Sequence, residues 1–189
     1  MDKYVIKESS YTNPIDDLTF LDHLIFNFKL LFFLVSIITL IFISLCLGNF
    51  VKPIQNYLPM LFHKLLLWLL SIKVEIEGRI EEAKDCNLFL SNHVSYLDIP
   101  ILGSNLPLRF VAKSEVASWT LFGFLAKMAR TIFIKRNRHN TLVQKDIIKH
   151  SLLMEEKVLI FPEGTTSDGN RVLDFKSSLL SAVEKEDFL

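Results

Sequence analysis

Hydrophobic residues fall into two long runs near the N-terminus and then into short runs broken by polar and turn residues. The first long run, residues 30–48, has 19 residues and carries no charge. About 20 such residues, each rising 1.5 Å, cross the hydrocarbon core of a membrane. We therefore predict a transmembrane or re-entrant helix over residues 29–50, preceded by a polar N-terminal tail over residues 1–28. A buried core helix is the alternative.

The second hydrophobic run, residues 57–72, is interrupted by His63 and Lys64. Mixed apolar and basic positions favour an amphipathic helix in the membrane interface, which we assign to residues 51–73. The alternative is a helix packed on the domain that follows. Residues 49–73 contain three lysines and no acid. The positive-inside rule therefore favours a cytosolic location for the C-terminal side.

The pattern changes after residue 73, where short apolar runs alternate with helical spacing. This pattern predicts an α/β fold over residues 74–189, with strands alternating with helices. The predicted strands are 73–78, 87–91, 108–113, 130–136 and 157–162. Helical patterns cover 114–128 and 140–156, and a further helical stretch lies near 177–183.

Composition narrows the function classes. The 189 residues include 21 Lys and Arg and 21 Asp and Glu, so the net charge is zero and nucleic acid is not an expected partner. Half of the residues are hydrophobic, and the mean hydropathy is +0.34, which excludes a disordered chain. The two cysteines, Cys46 and Cys86, stand in unrelated contexts and form neither a disulfide framework nor a metal cluster.

A histidine and an aspartate five positions apart form the first candidate site, in the segment N-H-V-S-Y-L-D. A carboxylate on Nδ1 of His93 would fix the ring tautomer and stabilise the imidazolium that forms when Nε2 takes a proton. The two side chains can meet if His93 lies in a loop or first helical turn and Asp98 lies within the helix. Ser91 and Asn92 are good N-cap residues for such a helix. A capping segment with a surface histidine is the alternative.

The segment F-P-E-G-T-T-S-D-G, residues 161–169, is the second candidate. Gly164 allows close approach of the backbone to a ligand, and the hydroxyl residues that follow could hold an anion or a polyol. An ordinary turn after a strand would use similar residues.

A third feature is a basic stretch, residues 105–150, with nine Lys and Arg against two acids. It could attract phosphate headgroups or a phosphorylated acyl carrier, or it could be a solvated face beside a membrane. Arg136 stands apart because it ends a predicted strand, where its side chain could point into a site.

Together these residues resemble the glycerolipid acyltransferase family, in particular its lysophosphatidic acid (1-acylglycerol-3-phosphate) acyltransferases. The family's N-H-x-S-x-x-D motif matches Asn92, His93, Ser95 and Asp98. Its G-x-x-F-I-x-R motif is matched by Phe133, Ile134 and Arg136, with Arg130 near the expected glycine. Its F-P-E-G-T-R-S motif matches residues 161–165 and Ser167.

The resemblance implies direct acyl transfer at a membrane surface, with His93 and Asp98 as catalytic residues. The acceptor would be a lysolipid, most simply 1-acylglycerol-3-phosphate, and the donor acyl-CoA or acyl-acyl carrier protein. No other cofactor and no metal are implied. The expected location is the bacterial inner membrane, with the catalytic domain on the cytoplasmic side. The residues that would bind substrate are Arg136, Glu163, Gly164, Thr165 and Arg171.

Two departures from the family pattern leave alternatives open. Thr166 stands where the third motif often has arginine, which makes another acceptor, such as a lyso-ornithine lipid, a serious rival. The family's fourth motif, a Val/Pro-rich strand, is absent, so the domain is expected to be truncated and could be an inactive membrane-anchored fragment. A serine hydrolase is disfavoured because the chain has no G-x-S-x-G segment.

Overall fold

A computed structural model describes residues 19–47, 51–135 and 141–176. Two long helices come first, α1 (Phe20–Leu47) and α2 (Lys52–Leu69). The α/β part has four strands: β1 (Leu88–Leu90), β2 (Leu108–Lys113), β3 (Ile132–Ile134) and β4 (Lys157–Ile160). Its helices are α3 (Ile80–Ala83), α4 (Asp98–Gly103), α5 (Thr120–Met128) and α6 (Thr141–Leu153), with a 3₁₀ helix at Ser114–Ser118.

The strands form one parallel sheet in the order β1-β4-β2-β3. Connections between parallel strands are nearly always right-handed, so α4 and α5 lie on one face of the sheet and α6 on the other. The hydrophobic core accordingly has two clusters, one on each face of the sheet. On the α6 face, Ile148 packs with buried residues of β3 and β4. On the α4 face, Ile99 and Leu102 pack on a cluster that includes Phe110 and Phe161. The predicted α/β fold is confirmed.

Helix α1 begins earlier than its uncharged run predicts. Thr19 and Asp22 form a reciprocal cap, in which Thr19 N–H donates to the Asp22 carboxylate at 2.8 Å and Asp22 N–H donates to Thr19 Oγ1 at 3.3 Å. This capping box satisfies two N–H groups of the first turn. The helix therefore takes in residues 20–28, which the sequence analysis assigned to the polar tail.

Helices α1 and α2 pack antiparallel. Lys29 Nζ donates to Ser71 Oγ at 3.0 Å, and the Phe32 and Trp68 rings lie edge to face at 5.5 Å. Among the described residues, α1 is the one helix long and apolar enough to cross a membrane, and 6% of that span is buried. Whether it spans or re-enters stays a prediction.

Helix α2 places one side against the α/β part. His63 and Leu67 are buried, and His63 lies so close to α4 that a Cβ on Gly103 would be 2.2 Å from its Nδ1. Burial lowers the pKa of His63, and a hydrogen bond from its ring to the Gly103 backbone opposes this shift only in part. The alternative of a helix packed on the following domain therefore holds for this side of α2, and its position in a membrane interface stays a prediction.

The prediction of a strand at residues 73–78 is wrong. The segment pairs with none of the strands in the described part of the chain, and its Lys73 and Glu75 side chains form an ion pair in solvent, 85% and 77% exposed. Its alternation of charged and apolar residues therefore does not mark a sheet face. The predicted strand 130–136 shortens to β3, and the predicted helix 114–128 divides into the 3₁₀ helix and α5. The predicted helical stretch 177–183 lies outside the described residues.

Candidate active site

The candidate site lies where β1 and β4, neighbours in the sheet, end at the same edge. The carboxyl ends of parallel strands form the usual ligand-binding edge of such sheets. The loop after β1 carries His93, and the loop after β4 carries Glu163. Two hydrogen bonds join the loops: Ser167 N–H donates to the His93 carbonyl at 2.7 Å, and His93 N–H donates to Glu163 Oε1 at 2.7 Å.

The ring of His93 is paired with Asp98, as the sequence analysis predicted. Nδ1 of His93 lies 2.8 Å from Oδ2 of Asp98. The two side chains are 14% and 21% exposed, so the pair is shielded but reachable. Since Nδ1 faces the carboxylate, Nε2 lies on the opposite side of the ring, where a base would take a proton.

Asp98 is held in its ionised form by several donors. Its Oδ2 also accepts hydrogen bonds from the backbone N–H groups of Val94 at 2.7 Å and Ser95 at 3.0 Å. Partial burial acts to raise the pKa of Asp98. The hydrogen bonds from Ser95, His93 and Val94 outweigh burial, so the pKa lies below its ordinary value. The ionised carboxylate therefore accepts hydrogen bonds from the His93 ring and from the loop at the same oxygen.

The local helix start differs from the expected one. Ser91 and Asn92 do not cap α4; its N-cap is Leu97, and Asp98 is the first helical residue. His93 therefore lies in the loop before the helix rather than in its first turn. No side chain caps α4; the Asp98 carboxylate instead turns back to accept hydrogen bonds from N–H groups of the loop. This return of the loop brings two residues five positions apart into contact.

The Glu163 side chain is buried inside the protein and does not line an open cleft. It is 1% exposed, and its second oxygen, Oε2, accepts a hydrogen bond from Leu173 N–H at 2.9 Å. Both carboxylate oxygens are thus used inside the protein, one on the His93 loop and one further along the chain. The substrate contact predicted for Glu163 stays a prediction, and the observed contacts make it a residue that positions His93.

Phe161, at the end of β4, stacks on the candidate base. Its ring lies 4.0 Å from the imidazole of His93 with an interplanar angle of 15°. Phe161 is 8% exposed and packs in turn against Phe110 of β2. The sequence motif includes Phe161 but does not predict this contact. The contact could have been predicted from the position of Phe161, an aromatic residue at the end of a buried strand and next to the turn that carries Glu163.

The remaining predicted residues separate into three groups. Gly164 adopts φ +65°, a backbone conformation that glycine tolerates, and is followed by exposed Thr165. Arg171 is also exposed on the segment that leads to Leu173. Arg136 lies outside the described residues. The roles of all these residues in substrate binding stay predictions, as does the absence of a metal or other cofactor from the reaction.

Two residues of the basic stretch belong to an internal network at the opposite edge of the sheet. Arg109 and Arg130 both pair with Glu156, whose side chain is 14% exposed. Burial acts to raise the pKa of Glu156, but the two guanidinium groups outweigh it and hold the pKa below its ordinary value. Arg130, which stands at the family's glycine position, has φ +56°, the left-handed conformation that glycine adopts most easily.

A family model described as Acyltransferase matches residues 71–188, which include both loops of the site. The chain belongs to the acyltransferase family. It is 40% identical over 155 residues to the lyso-ornithine lipid O-acyltransferase of Rhizobium meliloti, covering 82% of this chain and 52% of that protein. It is 33% identical over 115 residues to the 1-acyl-sn-glycerol-3-phosphate acyltransferase of Neisseria gonorrhoeae, covering 60% of this chain and 45% of that protein.

A solved structure with the same acyltransferase fold is the 1-acyl-sn-glycerophosphate acyltransferase PlsC from Thermotoga maritima. The TM-score is 0.56 at 23% identity, over 82% of this chain and 70% of that one. This likeness concerns the fold. The chain spans about half the length of the curated relatives it matches. The family predicted from the motifs and the α/β fold predicted from the alternation of strands and helices are therefore confirmed.

Proposed function

We propose that this acyltransferase moves an acyl group from a thioester donor to the free hydroxyl of a lysolipid at a membrane surface. The observation that carries the proposal is the 2.8 Å contact between Nδ1 of His93 and Oδ2 of Asp98. It leaves Nε2 as the atom that can take a proton, in a loop at the ligand-binding edge of the sheet. Among the described residues, α1 supplies the apolar helix that associates such a site with a membrane.

The proposed reaction needs no acyl-enzyme. Nε2 of His93 takes the proton of the acceptor hydroxyl while the oxygen attacks the thioester carbonyl carbon. The carbon–sulfur bond then breaks, the new ester forms, and the thiolate leaving group takes the proton back from the imidazolium. Asp98 stabilises the imidazolium between the two proton transfers and keeps Nδ1 protonated. Stacking of Phe161 on the ring and the bond from His93 N–H to Glu163 limit ring and loop movement.

For the acceptor, we favour a lyso-ornithine lipid over 1-acylglycerol-3-phosphate. The relative from Rhizobium meliloti named for lyso-ornithine lipid is 40% identical, against 33% for the relative from Neisseria gonorrhoeae named for 1-acyl-sn-glycerol-3-phosphate. Thr166 agrees with this choice. A threonine lacks the guanidinium that binds a phosphate monoester through two hydrogen bonds, and Thr166 is exposed beside the site.

Acceptor competition tests this proposal. The full chain in lipid nanodiscs would be given acyl-CoA or acyl-acyl carrier protein, with lyso-ornithine lipid or lysophosphatidic acid, and released thiol would be measured. We expect thiol release that depends on acceptor and is faster with lyso-ornithine lipid. Faster release with lysophosphatidic acid would overturn the acceptor assignment alone. Release without any acceptor, with free fatty acid as the product, would indicate a hydrolase.

We also propose that the site faces the cytoplasm of a bacterial cell. Three basic residues and no acid in residues 49–73 support this side. Cys86 is an exposed thiol of the α/β part, and replacing the other cysteine with C46S leaves it as a single label site. A membrane-impermeant maleimide should then label Cys86 in inverted vesicles and not in intact spheroplasts. The reverse pattern would place the domain on the other side.

A further inference from the structure

Helix α5 turns apolar side chains toward solvent. Trp119, just before the helix, is 45% exposed, and Leu121, Phe122 and Phe124 are 63%, 67% and 44% exposed. These four residues are called the α5 face below. The buried residue of the helix is Gly123, where a Cβ would lie 2.6 Å from the carbonyl oxygen of Ala117 in the 3₁₀ helix. The helix therefore packs through its smallest residue and exposes its largest ones.

This arrangement is the reverse of a surface helix in water, which buries its apolar stripe and exposes its polar one. At 100° per residue, Leu121 lies 60° from Phe124 on one side and 100° from Phe122 on the other, so the three side chains span about 160° of the helix surface. An exposed apolar helix face of this breadth marks an interaction site.

The α5 face lies on the side of the molecule that carries α1 and α2. The right-handed connections place α5 and α4 on one face of the sheet, and α2 packs on α4 through His63 and Gly103. The link is direct as well, because Arg130 Nη1, just after α5, donates to Asn56 Oδ1 of α2 at 2.8 Å. The α5 face thus shares a side with the apolar helix α1, which is suited to a membrane by length and composition.

The border of the α5 face suits an anionic lipid surface. Lys113 and Lys127 are exposed beside it, and Glu115 is the exposed acid of the intervening 3₁₀ helix. Lysines at the rim of an apolar helix face, with a tryptophan at its end, are typical of helices that lie in the headgroup region. A protein partner would need its own complementary surface, whereas a bilayer fits both the aromatic residues and the lysines.

We propose that the α5 face rests in the headgroup region of the bilayer, as a second membrane contact separate from α1. Trp119 lies close to the carboxyl edge of the sheet, since only the 3₁₀ helix separates it from the end of β2. Contact there turns that edge toward lipid. The His93 loop exposes apolar residues of its own at this edge, Val94 and Tyr96, 41% and 70% exposed. The contact does not depend on the identity of the reaction.

The test uses Trp119 as its own probe. Because the chain has two tryptophans, W68F leaves Trp119 as the single emitter. The full chain would be reconstituted in phosphatidylcholine vesicles containing phosphatidylglycerol, with and without lipids brominated near the headgroup. We expect Trp119 fluorescence to be quenched by the brominated lipids and protected from aqueous iodide.

Each other outcome overturns the proposal. Quenching by iodide without quenching by brominated lipid would place the α5 face in water, with α1 alone holding the membrane. Protection from both quenchers would indicate a cover of protein, such as a second copy or another segment.

A pair of variants distinguishes a membrane contact through the α5 face from a general effect of surface hydrophobicity. Phe122→Ser should weaken quenching by brominated lipid. Leu153→Ser, which removes a residue 60% exposed at the end of α6 on the other face of the sheet, should leave it unchanged. Equal effects of the two substitutions would contradict a specific contact through α5.

Discussion

The Glu163 carboxylate accepts a hydrogen bond from the backbone N–H of His93 at 2.7 Å, across 70 residues of chain. Glu163 is 1% exposed, and its other oxygen is bonded to Leu173 N–H. An acid hydrogen-bonded to the loop of a candidate base invites a role in substrate binding. These contacts instead make Glu163 a support for the loop that carries the base, and the two roles give different results on substitution.

Glu163→Gln should lower both stability and turnover. Only one oxygen remains to accept a hydrogen bond, and the new NH₂ group faces the N–H of either His93 or Leu173. A buried donor left without a partner costs about 1–3 kcal/mol, so thermal unfolding should shift down by several degrees. The kcat should fall because the His93 loop is less well held, while KM for the acceptor changes little. An unchanged unfolding temperature with a raised KM would instead assign Glu163 to substrate binding.

Phe161→Leu should slow the reaction modestly. The substitution keeps an apolar side chain but removes the ring stacked on the imidazole. Aromatic pairs contribute about 0.5–1.5 kcal/mol beyond their area, which corresponds to roughly 2- to 10-fold in kcat. Phe89→Leu is the matched control, because Phe89 packs against the same cluster without an observed contact to His93. Equal losses of kcat in the two variants would show that Phe161 acts through core packing and not through its stack on His93.

Glu156→Gln should destabilise the fold in a pH-dependent way. The folded-state pKa of Glu156 lies below its ordinary value of 4.5, so the ionised group stabilises the fold above that pH. Stability falls as pH drops through the lowered pKa. The substitution should therefore cost roughly 1–3 kcal/mol at pH 7 and progressively less in acid.

Thermal unfolding in detergent at pH 7 and at several acidic values checks this prediction. Glu82→Gln is the control, since Glu82 pairs with Arg79 at the surface, 67% and 82% exposed. Exposed ion pairs contribute about 0–1 kcal/mol, so this variant should behave like the parent. A Glu156→Gln difference that stays constant with pH would contradict the charge-based account.

Arg136→Ala should act on acceptor binding. If the guanidinium holds a charged headgroup, its loss should raise acceptor KM by about 10- to 100-fold, with less effect on kcat. Arg171→Ala should show the same pattern if that arginine compensates for Thr166. Arg79→Ala, on the exposed surface before α3, is the control. A fall in kcat at unchanged KM in either variant would show that the substituted arginine does not bind the acceptor headgroup.

Sequence patterns predicted β2 at its observed bounds and the pairing of His93 with Asp98, because both depend on local periodicity and spacing. They failed at residues 73–78, where the alternation arises from charged residues in solvent and none of the four described strands pairs with the segment. They also missed the start of α1. The Thr19–Asp22 capping box marks that start, but the helix was predicted from the uncharged run further along the chain.

The long-range contacts of the site could not be predicted from spacing. The hydrogen bond from His93 to Glu163 and the stack of Phe161 on His93 depend on β1 and β4 being neighbours in the sheet. A chain order of β1 to β4 does not give the spatial order β1-β4-β2-β3. For the same reason, the basic stretch looked like one patch, although Arg109 and Arg130 turn to Glu156 at the opposite edge.

The most direct test of the account is acceptor-dependent thiol release by His93→Ala in nanodiscs, compared with the parent and with His150→Ala. His150 is an exposed histidine of α6, on the other face of the sheet. A general base contributes about 10²- to 10⁴-fold, so His93→Ala should lose that much turnover, and Asp98→Asn should be severely impaired as well. His150→Ala should be unaffected. Near-parental turnover by a folded His93→Ala protein would contradict the proposed mechanism.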